Sequence, residues 1–273
     1  MKPIHLLICL SLFVFATCLN SSVMANDRFE PSYNEMLKEH VRPQKAINGI
    51  VYNGVDYRAW KQDPRYPQVM KRLSDFNPNI LRTESEKLAF WINAYNLLTI
   101  DLIIKNGEKE SIKNLGSLFK NPWKKYKWDI GGKVYTLDEI EHKILRPMGE
   151  PRIHFAINCA AISCPDLRAE AYDPLILERQ LDNQVYVTLR NDTKGMQKVR
   201  NRNMIYLTRV MQWFDEDFNN GDLISWLETY RPELINRDII IRFFPYDWSL
   251  NKTLETTANK RPAEVLIPKD KYN

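Results

Sequence analysis

Glycine is scarce in this chain: nine in 273 residues, about 3% against a usual 7% or so. That shortage excludes collagen-like and glycine-linker architectures, and it argues against phosphate loops built from glycine. Gly-x-Gly-x-x-Gly, the Gly-x-Ser-x-Gly elbow and the His-Glu-x-x-His helix are all missing, so dinucleotide-binding, serine-esterase and zincin readings lose their usual support. Gly49 and Gly54 have the spacing of a phosphate loop, but Val55-Asp56 stands where Lys-Ser/Thr is required. Any active site must therefore be built from side chains on helices and strand ends, and no cofactor is implied. Excess charge is missing too. A formal net charge of +5 is mild for this length and is not the footprint of a nucleic-acid binder. With 44% hydrophobic and 27% charged residues, disorder is excluded and a packed core is expected.

Cysteine is sparse, with four in the chain, two of them near the start. Lys2 precedes an apolar run from Ile4 to Ala16, and a short polar stretch follows, ending Val23-Met24-Ala25. That order reads as a signal peptide over residues 1–25, too short for a comfortable span of about 20 residues. A retained anchor, lengthened by Leu19 and Val23, is the alternative, and Cys18 matches a lipoprotein cleavage motif poorly. No later segment reads as long enough to span. Cleavage after Ala25 leaves 248 residues at net +4, with only Cys159 and Cys164. Export, periplasmic or secreted, would put that pair in an oxidising compartment.

Residues 26–273 read as a single α+β domain with a helical majority and a small, mainly antiparallel sheet. Helical spacing covers Tyr33 to Val41 and Tyr57 to Phe76, the second with Asp56 as N-cap. From Glu86 to Lys105 apolar residues lie nearly all round, which predicts a helix buried in the core and begun by a Thr83/Glu86 capping box. A hairpin is expected over Lys127 to Thr136 about Gly131-Gly132, and a helix over Leu137 to Leu145. Arg152 to Asn158 reads as a strand, and Ala160-Ala161-Ile162 as the start of a helix at Cys159. Pro174 opens a helix to about Arg190; strands over Asn203 to Leu207 and Asp238 to Phe243 flank helices at Arg209 to Phe218 and Asp222 to Tyr230. The run Trp123 to Trp128, alternating aromatic and lysine, fits stacking on bases or sugars, or more simply one edge of the hairpin.

Chemistry concentrates between Glu141 and Cys164, which holds both cysteines and the histidines His142 and His154. A thiol hydrolase or acyltransferase needs a thiolate, an imidazole and a group to orient that imidazole. Cys159 as nucleophile, His154 as base and Asn93 or Asp247 as orienter meet that need. A helix beginning at Cys159 would lower its thiol pKa. The same residues support two other readings: a Cys159–Cys164 disulfide shaping the loop of a non-catalytic binding module, or a metal set of His142, His154, Cys159 and Cys164. Asn93 and Asn96 share a helical face with Glu86, so Asn96, Glu86 and His142 are candidates for binding a substrate, although tying the helix to a loop suits buried amides as well.

Four separated motifs stand in order: Phe90-Trp91-Ile92-Asn93-Ala94-Tyr95-Asn96; Asp138-Glu139-Ile140-Glu141-His142 with Leu145-Arg146; Pro151 to Ala156 leading to Cys159 and Ser163-Cys164-Pro165; and Tyr246-Asp247-Trp248-Ser249-Leu250-Asn251. Together they resemble the domain of unknown function 547 family, over about residues 55–251. Some plant members join this domain to an N-terminal coiled coil, which nothing here matches. The resemblance implies a common site at Asn93, Asn96, His142, His154, Cys159, Cys164 and Asp247 without assigning it a reaction. An exported cysteine-dependent enzyme acting on an envelope component or a small molecule is the leading expectation.

Overall fold

In the computed structural model, which describes residues 28–44, 46–117 and 121–254, one helix organises the rest. The expected leader over 1–25 lies outside the described residues. Helices are α1 (Glu30–His40), α2 (Tyr57–Gln62), α3 (Tyr66–Asp75), α4 (Glu84–Asn106), α5 (Leu177–Leu189) and α6 (Leu223–Glu228), with several single turns between them. Start and stop of α4 are local. Thr83 and Glu86 form the capping box, and Gly107 closes the helix in the left-handed region at φ 62°. From Leu88 to Ile104 every residue is buried. By length and composition α4 could cross a bilayer, contrary to the expectation that no later segment is long enough; but 94% of its apolar window is buried within the protein, as in a core helix. Around it pack α1, α2, α3 and the chain from Leu137 to Ile157.

Strands are short and form three small sheets. Strands β1 (Val41–Pro43) and β2 (Asn53–Val55) pair antiparallel, as do β3 (Trp128–Ile130) and β4 (Lys133–Tyr135). The third sheet joins β5 (Met196–Lys198) antiparallel to β6 (Met204–Leu207), which pairs parallel with β7 (Ile240–Phe243). A second apolar cluster lies between this sheet, α5 and α6, and includes Phe155, whose ring stacks on Trp226 at 5.6 Å. The turn Ile153–Ala156 thus straddles both clusters, with Ile153 and Ala156 in the first and Phe155 in the second. The α+β class with helical majority and small, mainly antiparallel sheets is as read from the sequence.

Several elements differ from expectation. The helix expected over Tyr57 to Phe76 is two helices, because Pro64 holds Asp63 extended (φ −67°, ψ 123°) and supplies no N–H. Asp56 does cap α2, accepting from Ala59 N at 3.0 Å. Arg152 to Asn158 is no strand. Its N–H groups bond backward, Phe155 to Arg152 O at 3.0 Å and Ile157 to Ile153 O at 2.9 Å, and a run buried on every side carries no alternation to tell strand from helix. No helix begins at Cys159 either, since Ala160 is left-handed at φ 60°. Trp123 belongs to a turn, Pro122–Lys125, capped by Asn121, so only Trp128 of the aromatic-lysine run enters the hairpin. Pro174 sits in a turn before α5, and the helix expected over Arg209 to Phe218 is a turn at Val210–Trp213 followed by a tighter one at Asp215–Asp217.

Gly131 and Gly132 turn the hairpin with φ of 61° and 78°, both left-handed. A Cβ at Gly131 would lie 2.7 Å from Phe76 O, whereas one at Gly132 meets open space. Gly132→Ala is expected to cost the left-handed strain alone, about 1 to 2 kcal/mol, and Gly131→Ala distinctly more. Urea midpoints of the two variants check the order; equal losses would contradict it.

Candidate functional site

Buried amides build the site outward from α4. Asn96 Nδ2 donates to Ala156 O at 3.0 Å, and its Oδ1 accepts from Asn158 N at 2.8 Å, so the helix grips the chain immediately before Cys159. Asn158 continues the relay. Its Nδ2 donates to Pro165 O at 2.8 Å, while its Oδ1 accepts from Ala160 N at 2.9 Å and from Asn251 Nδ2 at 3.1 Å. Asn251 Oδ1 in turn accepts the Tyr57 hydroxyl at 2.6 Å. Behind the loop, buried Lys194 donates to Ile162 O, Cys164 O and Asp166 Oδ1 at 2.7 to 3.0 Å, which uses all three of its protons. These bonds fix a tight turn from Cys159 to Cys164, and Cys159 N donates to Cys164 Sγ at 3.2 Å.

The turn opens on a cleft of about 190 Å³. Tyr95, Asn121, Asp138, Glu141, His142, His154, Cys159 and Cys164 supply its polar groups. Trp123, Trp213, Phe214, Tyr246 and Trp248 supply an aromatic wall, in which Trp213 and Trp248 stack at 5.8 Å and Tyr246 meets Trp248 at 4.5 Å. Both cysteines are free thiols, so the expected disulfide is not formed here. Cys159 Sγ instead shares a hydrogen bond with the Tyr246 hydroxyl at 3.0 Å.

His154 Nε2 lies 2.7 Å from Asp217 Oδ2, and its ring stacks on Phe214 at 4.1 Å. A carboxylate only accepts, so the proton sits on Nε2 and buried Nδ1, which has no partner among the described residues, carries the lone pair. Asp217 is itself clamped by Arg146 through Nε at 2.6 Å and Nη2 at 2.8 Å; that fork holds its carboxyl below the usual range against the effect of burial. Burial pushes the His154 imidazole down to about 4, with Asp217 countering only in part. Burial also pushes Glu141 up to about 7, opposed by the hydrogen bond that the Tyr95 hydroxyl donates to its Oε2 at 3.1 Å. His142 is lowered, chiefly by burial. Within the thiol pair, the contact with Cys164 and then burial raise Cys159. Burial pushes Cys164 up as well, but the Cys159 thiol and N–H, then the Tyr246 hydroxyl and Lys194, outweigh it and hold Cys164 low. Cys159 therefore keeps its proton until a base removes it.

Not every residue expected at the site is there. Asn93 is spent on the backbone of Tyr172, donating to its O at 2.8 Å and accepting from its N at 2.9 Å. Asp247 accepts from Asn48 Nδ2 and Ser249 N, both at 2.8 Å, so neither candidate orients His154; Asp217 does. Glu86 serves the cap of α4 and does not line the cleft. Asn96 ties the cysteine segment instead of facing a ligand. His142 lines the cleft beside Asp138, 3.7 Å away, and Arg146. The four-residue metal set of His142, His154, Cys159 and Cys164 does not converge: among the described residues the one gathering of three such ligand atoms is Glu39, His40 and Asp63. There the Arg65 guanidinium already bridges Glu39 and Asp63.

Residues 81–186 match the model of a family described as a protein of unknown function, DUF547. Over that segment the chain is similar to the DUF547 family. The DUF547 segment carries α4, both cleft histidines, Glu141 and both thiols, while Asp217, Tyr246 and Asn251, which complete the site, come from later in the chain. No curated protein matches this chain, and no solved structure does.

Asp217 was hidden in an acidic run, Asp215-Glu216-Asp217, of the kind that usually faces solvent. Tyr246 and Trp248 had a readable signal: in an extended segment the residues at i and i+2 share a face, so the neighbours of Asp247 enter the cleft while Asp247 turns away. Glu141 and His154 oppose each other in the pH dependence of stability. Between pH 4.5 and 6.5 the unfolded chain protonates His154 where the folded one does not, so that group favours folding as pH rises. Over the same window the folded chain keeps the Glu141 proton that the unfolded chain has lost, so that group disfavours folding as pH rises. Relative to wild type, Glu141→Gln should tilt the slope of stability against pH upward and His154→Gln downward. Each tilt amounts to at most about 1.4 kcal/mol per pH unit. Urea titrations across this range measure both tilts, and shifts of the same sign would refute the assignment.

Proposed function

We propose that this chain is a cysteine-dependent enzyme of hydrolase or acyl-transfer type, with Cys159 as nucleophile, His154 as base and Asp217 as the group that orients His154. One observation carries the reading. The Cys159 thiol and the His154 ring line one cleft, and Asp217 holds that ring from behind through Nε2, leaving Nδ1 with a lone pair and no partner among the described residues. Nucleophile, base and orienter are the three parts acyl transfer through a thiol requires. For the proton to move, Cys159 exchanges its Tyr246 hydrogen bond for His154 Nδ1 as substrate enters, a tightening that resting sites commonly await. Tyr246 is then free to donate to the oxyanion of the tetrahedral intermediate. Cys164 is 3% exposed, against an intermediate exposure for Cys159, which favours Cys159 as the sulfur that meets substrate. The leader expected over residues 1–25 supports placing the enzyme outside the cytoplasm, periplasmic or secreted, with an envelope component or a small molecule as substrate.

p-Nitrophenyl acetate tests the chemistry. Wild type should release nitrophenolate in a burst and carry one acetyl group on Cys159 by mass spectrometry, whereas Cys159→Ser should do neither. His154→Gln and Asp217→Asn should each slow acylation by about 100-fold or more. A Cys159→Ser protein that is folded and as fast as wild type would end this reading. Mass analysis of the protein recovered from cell fractions checks export and removal of the leader.

A further inference from the structure

Glu141 is a buried carboxyl without a counter-ion. It is 8% exposed, lines the cleft, and makes no ion pair among the described residues. Arg146, the nearby cation, is committed to Asp217 through both arms of its fork. The hydrogen-bond partner of Glu141 is the Tyr95 hydroxyl, which donates to Oε2. An unpaired carboxylate in such a place costs several kcal/mol, so the group resolves the cost by holding a proton. With Oε2 accepting from Tyr95, the proton sits on Oε1, free to be given into the cleft. The carboxyl stands on a π-helical turn, Ile140–Leu145, a widened backbone that is frequent at functional sites. Tyr95 links acid and thiols: its hydroxyl donates to Glu141, and it lines the same cleft as Cys159 and Cys164.

Resting on the thiol reading above, we propose that Glu141 is the proton donor to the leaving group, and that the natural substrates are amides or alkyl esters. Such substrates need an acid because amide and alkoxide anions do not depart unprotonated. In acylation, Cys159 Sγ bonds to the carbonyl carbon, the thiol proton passes to His154 Nδ1, and the π pair moves to the carbonyl oxygen. Collapse of the intermediate breaks the carbon–nitrogen or carbon–oxygen bond, and the leaving atom takes the proton of Glu141. In deacylation, water attacks the thioester and gives its proton to the Glu141 carboxylate. The acid leaves, and His154 returns its proton to Cys159, restoring the starting state. The division of labour suits both groups: buried His154 need only hold the thiol proton transiently, while Glu141 begins each cycle protonated. Activated acyl donors, whose leaving groups depart as anions, would make Glu141 superfluous as the acid of acylation, though not as the base of deacylation.

Two acetate esters separate the possibilities, p-nitrophenyl acetate with a good leaving group and ethyl acetate with a poor one. Read as kcat/KM, which reports the acylation half alone, Glu141→Gln should lose at least tenfold more on the second ester than on the first. A variant that slows both esters alike, or neither, overturns the proposal, the first result marking Glu141 as structural. Activity on p-nitrophenyl acetate that survives Cys159→Ser overturns the thiol reading itself, which is a separate outcome. Should Glu141→Gln fail to fold, wild type supplies the test: its rate ratio, ethyl over p-nitrophenyl acetate, should drop as pH rises through about 7, where Glu141 ionises. Tyr95 on α4, Asp138 on the turn before that of Glu141, Arg146 beyond it and Asp217 opposite face this carboxyl. Asp217, held low, stays ionised and Arg146 and Tyr95, both raised, stay protonated throughout that range. A ratio that does not change with pH overturns the proposal.

Discussion

A polar group inside an apolar helix must find a partner, and in this protein that requirement fixes the site. Asn96 lies on a helix whose residues are buried without interruption from Leu88 to Ile104, so neither end of its amide can turn to water. Its partners are backbone groups on either side of Ile157, and Asn158 repeats the arrangement one step further along. Cys159 inherits its place from these bonds. The left-handed residue after it, Ala160, is held there by Asn158 Oδ1 and by the return of the chain at Asn251. Strain of that kind persists only where surroundings over-determine the backbone, and here four hydrogen-bonded segments do so.

The cleft above this scaffold is assembled to hold little charge. His154 is kept neutral, Glu141 holds its proton until the pH rises through about 7, and the thiol pair holds a proton on Cys159. Two of the charges at the site are confined behind the working surface, Asp217 by the Arg146 fork and Lys194 by three acceptors beneath the turn, while the Asp138 carboxyl lines the cleft beside His142. With an aromatic wall opposite, protons can move between groups without a full charge facing water, and any charge that develops on a substrate acts in a poorly screened space.

What the sequence revealed followed the range of the interactions involved. The capping box of α4, the Asp56 cap and the double-glycine hairpin are decided within four residues, and all three were legible. The three-residue strands β1, β2 and β5 were not, because their pairing depends on partners elsewhere and leaves no alternation to read. At Ile153–Ala156 burial on every side removed the periodicity that distinguishes helix from strand. The site shows the same division. Cys159, His154 and His142 stood out as reactive types clustered in one segment, and the amides of α4 as polar residues in an apolar run. Asp217 is joined to His154 only across 63 residues, and nothing in its acidic neighbourhood marked it.

The amide relay also sets the order in which this site can come into being. Tyr246, the hydroxyl partner of Cys159, follows it by 87 residues, and Asn251, which meets Asn158, follows by 93. During synthesis the thiol therefore emerges long before the groups that hold it, and α4 can grip Ala156 and Asn158 while the far side of the turn is still open. A chain interrupted before Tyr246 carries every residue of the matched family segment and still lacks a wall of its cleft. Reactivity is thereby deferred to the completed fold.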